Sequence, residues 1–142
     1  MRVNEILSAY MYRACTRMKR TLGVAKRTKL RKKVTMQRIG MVIKLKPGSQ
    51  NAYKKYHAAV WPEILNKISE CNIKNYSVFF KDDLLFGYLE YHGSNLEEDW
   101  GKMAADAKTQ EWWAIMQPMQ DPLPTRKKGE WWANMEEVFH LE

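Results

Sequence analysis

The chain has 142 residues, a length suited to one domain, and 45% of them are apolar, enough for a packed core. It has no apolar run of about 18 residues to cross a bilayer, so no stable membrane insertion is expected, and two cysteines, Cys15 and Cys71, make no disulfide framework and point to a reducing compartment such as the cytoplasm. The net charge of +8 invites a nucleic-acid partner, but residues 1–35 hold 11 of the 24 Lys and Arg against one acid, Glu5, which leaves 13 basic and 15 acidic residues in 36–142; nucleic acid is therefore discounted for the body.

Residues 1–35 read as a basic N-terminal extension. Ile6, Leu7, Tyr10, Met11, Ala14 and Met18 fall on one side of a helical wheel, with most Arg and Lys off that side. Such a segment is an organelle-targeting peptide, a membrane-surface helix or a disordered tail ahead of a domain that begins at Met36. Lys26 to Lys33, with six basic residues in eight, is a solvated charged run.

The body, residues 36–142, reads as alternating elements. Ile39, Met41, Ile43 and Leu45 alternate as in a half-buried strand over 37–46. Pro47-Gly48 ends it, and Ser49 suits the N-cap of a helix over 50–71. Pro62 falls inside that helix and predicts a kink or a restart near Trp61. Residues 73–92 read as a hairpin with its turn at Asp82-Asp83. Helices over about 96–105 and 106–119 follow, then a loop over 120–129. The alternation of Val138, Phe139 and Leu141 predicts a last strand over 136–141. This order is that of a ferredoxin-like, split βαβ, α+β fold. One face of its sheet is covered by the chain's own helices, and the apolar residues of the other face predict a homodimer.

The chemistry is narrowed by what is missing. There is no His-x-x-x-His, no Cys/His cluster, no glycine-rich phosphate loop and no serine elbow, so no metal, nucleotide cofactor or nucleophile is expected. Cys71 reads as a structural thiol, and His92 and His140 as partly buried packing residues. His57 stands apart. Tyr53, His57 and Trp61 recur every four residues and share a helical face, and imidazole exchanges protons readily near neutral pH. Trp112 and Trp113 project about 100° apart on their helix, so one can pack while the other faces a cleft. Flat indoles suit the C–H faces of a sugar, and phenols suit its hydroxyls. Packing, or a dimer contact, is the simpler reading of Trp131-Trp132.

Five segments resemble one family in order and spacing: Tyr53-x-x-x-His57, Val60-Trp61-Pro62-Glu63, Asn75-Tyr76, Glu111-Trp112-Trp113 and Glu137-Val138-Phe139-His140-Leu141. The body is similar to the L-rhamnose mutarotases over about residues 36–142, while residues 1–35 have no counterpart. The resemblance implies a dimeric α+β barrel that interconverts the α and β anomers of L-rhamnose, or of a close 6-deoxy sugar, without a cofactor. It implies that His57 is the proton donor and that Tyr53, Tyr76, Trp112 and Trp113 bind the sugar. One segment departs from the family's Asn-Pro-Asp pattern: between Pro118 and Trp131 the chain reads Gln120-Asp121-Pro122-Leu123-Pro124. Two other readings are another dimeric α+β barrel enzyme of the small monooxygenase type and a non-catalytic sugar-binding or interaction module.

Overall fold

The alternating strand of Ile39, Met41, Ile43 and Leu45 is the spine of the sheet. In the computed structural model, which describes residues 36–142, it is β1 (Gln37–Leu45). The basic extension lies outside the described residues. β1 pairs antiparallel along eight positions with β3 (Leu84–Tyr91), and β3 pairs with β2 (Ile73–Lys81). The β2–β3 turn is Asp82-Asp83, both at positive φ (51° and 60°). That is the mirror-type turn whose twist suits a two-residue hairpin. Two short strands share the other edge of β1: β4 (Gln120–Asp121) against Lys44 and Leu45, and β5 (Ala133–Met135) against Gly40 to Val42. The strand order β2-β3-β1-β4 is the ferredoxin-like order that the sequence predicts.

Four helices cover the face onto which Met41, Ile43 and Leu45 project. They are α1 (Gln50–His57), α2 (Pro62–Glu70), α3 (Leu96–Ala105) and α4 (Ala107–Met116), the last followed by a 3-10 turn at Gln117–Met119. The expected helix over 50–71 is thus two helices. Trp61 is extended (ψ 137°) and Pro62 occupies the first turn of α2. The proline ring bars its predecessor from helical backbone, and its missing N–H costs nothing at a helix start. Ser49 precedes α1, but its side chain makes no capping bond. Asn95 and Asp106 do cap, accepting from the backbone N–H groups of Glu98 and Thr109.

Two apolar clusters result. One joins Ile43, Leu45 and Leu85 to Tyr53, Ile64, Trp112 and Met116; the other joins Met41, Leu89 and Tyr91 to Cys71, Ile73 and Met103. Cys71 is buried, and desolvation raises its thiol pKa, which fits a structural thiol.

The C-terminal segment corrects the sequence reading. The last strand is Ala133–Met135, not 136–141, and Val138, Phe139 and Leu141 are 89%, 77% and 79% exposed. After β5 the chain is held to β1 by Arg38, whose Nε donates to Glu137 at 2.8 Å. Alternation says which side chains seek burial; it does not say which edge receives them. His140 lies on this exposed segment, and His92 is also exposed, its Nε2 3.4 Å from Glu90. Neither is the packing residue that the sequence predicts.

A buried polar knot ties β3 to α3. Tyr91 donates to Asp99 at 2.8 Å, Asn72 donates to the same carboxylate at 2.8 Å and Lys102 to its other oxygen at 2.9 Å. Gly93 lies against this knot, and a Cβ there would overlap the Tyr91 hydroxyl. Gly93→Ala should therefore destabilise the fold by about 2–4 kcal/mol. Gly101→Ala, in α3 with open space at its Cβ, should be stabilising by about 0.5–1 kcal/mol. Urea unfolding of the two variants checks both.

Candidate active site

The site begins at the end of α1. Tyr53 is buried and His57 half-buried one turn later, their rings stacked with centroids 4.0 Å apart and 21° between planes. His57 Nδ1–H donates to the Tyr53 carbonyl at 3.0 Å. A carbonyl only accepts, so this bond fixes the tautomer: Nδ1 carries the proton and Nε2 the lone pair. Trp112 of α4 closes the other side. Its indole meets His57 edge-on at 5.5 Å, Trp61 at 5.3 Å and Tyr56 at 6.2 Å. Desolvation among these rings lowers the His57 pKa below its ordinary value, opposed by the bond to the Tyr53 carbonyl. The resting imidazole is therefore neutral near pH 7.

Tyr76 arrives by a fault in β2. Lys74 pairs with Glu90 and Ser77 with Tyr88, so β2 spends one more residue than β3 between them. The extra residue forms a β-bulge around Asn75, which has a left-handed backbone (φ 48°) and donates from its side chain to Glu90 at 2.9 Å. Asparagine is among the residues that tolerate this conformation best. The bulge changes the parity of the strand. Before it Ile73 faces the helices; after it Tyr76, Val78 and Phe80 do, and all four line one cavity. Tyr76 is 39% exposed, yet burial pushes its phenol up to about 12: the surface it exposes looks into the cavity, where protein rings the hydroxyl. The Tyr53 phenol is raised further, chiefly by burial and secondly by Tyr76. Both tyrosines stay protonated across the physiological range and can donate hydrogen bonds.

The cavity has a volume of about 2100 Å³ and lies between the sheet and the helices. All five residues singled out in the sequence line it: Tyr53, His57, Tyr76, Trp112 and Trp113. Trp112 is the buried member of its pair and Trp113 the half-buried one. Trp61 does not line it and packs against Trp112. The segment that departs from the family pattern forms another wall, through Gln120, Pro124 and residues 126–132. Two members of this wall were not legible beforehand. Gln120 is only 5% exposed, and its Oε1 accepts from Trp131 Nε1–H at 2.7 Å. A single glutamine carries no burial signal, although a buried indole generally needs an acceptor for its N–H, which could have prompted a search for one. Among the described residues no three His, Cys, Asp or Glu side chains converge as metal ligands.

The depressed His57 pKa has a direct consequence for acid sensitivity. The unfolded chain takes up this proton first, so the contribution of neutral His57 to stability is present above the unfolded pKa and is lost as pH falls through and below it. The imidazole should titrate below 6.5 by NMR, and His57→Gln should remove part of the destabilisation seen between about pH 7 and 5. A midpoint at or above 6.5 would show that desolvation does not dominate.

Known proteins resemble the chain over its body. The family model for L-rhamnose mutarotase matches residues 38–141. The chain is 32% identical over 113 residues to the L-rhamnose mutarotase of Oceanobacillus iheyensis, a match spanning 75% of this chain and 100% of the relative. It is 33% identical over 108 residues to that of Listeria monocytogenes serotype 4b, with 75% and 99% covered. The crystal structure of the L-rhamnose mutarotase FA22100 from Formosa agariphila superposes with a TM-score of 0.60 at 25% identity, covering 75% of this chain and 99% of that one. With residues 38–141 matched by the family model and the relatives matched over nearly their whole length, the chain belongs to the L-rhamnose mutarotase family.

Proposed function

We propose that the protein is an aldose 1-epimerase that interconverts the α and β anomers of L-rhamnose, with His57 moving the proton and Tyr53, Tyr76, Trp112 and Trp113 holding the sugar. The observation that carries this reading is the His57 imidazole: its Nδ1–H is engaged by a carbonyl and its ring is packed between Tyr53 and Trp112 at the edge of a cavity. Anomer exchange moves one proton from the anomeric hydroxyl to the ring oxygen and back. Neutral Nε2 takes the hydroxyl proton while the bond between C1 and the ring oxygen breaks. The imidazolium, disfavoured in its desolvated setting, gives the proton to the oxygen released from C1. The aldehyde turns about its C1–C2 bond, and the steps reverse on its other face. The phenols donate hydrogen bonds to sugar oxygens, and the indoles offer flat surfaces to its C–H groups.

The reaction runs slowly in water unaided, so positioned acid–base help worth roughly 10²–10⁴ in rate is enough. His57→Ala should lower kcat by about that factor with the fold intact, measured by NMR saturation transfer between the L-rhamnose anomers. Full activity in His57→Ala, or no exchange by the wild type, would sink the assignment. A cytoplasmic location suits the free, buried thiol of Cys71.

The working unit in this reading is a homodimer. Two features support it. Phe79, Phe86 and Val42 are cross-strand neighbours on the face away from the helices, and Phe79 is 62% exposed. The C-terminal segment also offers Val138, Phe139 and Leu141 to solvent, more apolar surface than a stable monomer ordinarily leaves in one stretch. Sedimentation equilibrium should give twice the chain mass, and removal of residues 137–142 should shift the protein toward monomer.

A further inference from the structure

Resting on the mutarotase reading, we infer that Gln120 is a sugar-binding residue of this chain, with its amide aimed by Trp131. The argument starts from the indole, which can only donate. Trp131 Nε1–H points at the Gln120 side chain at 2.7 Å, so the atom it meets is the carbonyl oxygen Oε1 and the amide cannot be flipped. Nε2 then points away from Trp131. Gln120 and Tyr53 both line the cavity. Gln120 Nε2 and the Tyr53 hydroxyl are thus two donors on one cavity, suited to the hydroxyl oxygens of a sugar.

The backbone holds the pair rigidly. Gln120 belongs to β4, where it pairs with Leu45 of the central strand, and the preceding turn runs directly out of α4, which carries Trp112 and Trp113. Gln120 is therefore fixed to the sheet through its backbone and to the loop through its side chain. It opens the segment that departs from the family pattern. The donor it supplies couples sugar recognition at this wall to Trp131, which acts as a positioning residue.

The decisive variant is Gln120→Glu, which still offers an oxygen to the Trp131 indole but no amide donor to the sugar. Gln120→Leu removes both functions, and Trp131→Phe removes only the aim. Kinetics of anomer exchange should show KM for L-rhamnose raised about tenfold or more in Gln120→Glu and Gln120→Leu, less in Trp131→Phe, with kcat changed less than KM. The Trp131 indole N–H resonance should remain that of a hydrogen-bonded proton, unmoved or shifted downfield, in Gln120→Glu and move upfield in Gln120→Leu. KM within twofold of wild type in both Gln120 variants would overturn the inference. The mutarotase reading fails separately: an inactive wild type whose tryptophan fluorescence still saturates with L-rhamnose, but more weakly in Gln120→Glu, would refute catalysis and support the contact. Equal saturation in all the variants would overturn the contact.

Discussion

The break at Trp61-Pro62 sets the arrangement of everything around it. A continuous helix over 50–71 would have to pack Tyr53, His57, Ile64 and Ile68 along one straight stripe. Proline forbids helical backbone at Trp61, so α1 and α2 are two short rods that settle independently. α1 ends at His57, which leaves its imidazole at the end of a rod, free to turn back onto the Tyr53 carbonyl. α2 delivers Ile64 to the core on its own axis. Trp112 then fills the angle between them, touching residues of α1 and Trp61 at the junction. Rods of eight and nine residues are too short to be stable alone. Their order comes from this packing, and so does the order of the site.

The electrostatics of the site follow from which groups lose water. Burial disfavours the charged form of every titratable group it encloses. It pushes the imidazole toward its neutral form and both phenols toward theirs. One low-dielectric pocket thus holds a ready proton acceptor and two hydrogen-bond donors, all uncharged at rest. A carboxylate would be costly to desolvate here, and Asp99, the buried carboxylate among the described residues, lies instead on α3 in the knot with β3, with Tyr91, Asn72 and Lys102 to satisfy it.

Much of this was readable in the sequence. The alternation of β1, the Asp82-Asp83 hairpin and the break at Pro62 are local signals, and local signals survive folding when the hydrophobic pattern agrees with them. The five candidate site residues were legible because they recur at helical spacing or lie in segments shared with a family. What was not legible is nonlocal. The burial of Gln120 depends on Trp131, 11 residues away, and no property of either residue alone announces the pair. The apolar alternation of 138–141 was real, but a strand also needs an edge, and the edge of β1 is already taken by β4 and β5. The role of Asn75 was hidden for a different reason: the change from Ile73 to Tyr76, Val78 and Phe80 as inward residues is written in the strand, but it reads as imperfect alternation until the pairing is known.

That change has a consequence for length. Side chains in a strand alternate with a period of two, so the single residue gained at Asn75 reverses every position downstream of it. The stretch from Ile73 to the hairpin turn is an outer strand, with many of its side chains in water, the kind of place where chains ordinarily gain and lose residues freely. Here it cannot. Adding or removing one residue between the bulge and the turn would carry Val78 and Phe80 out of the core or turn Tyr76 away from His57. Downstream of the bulge, length can change only by twos; the one residue whose loss keeps Tyr76, Val78 and Phe80 facing inward is the bulged Asn75 itself, because without it the alternation from Ile73 becomes regular.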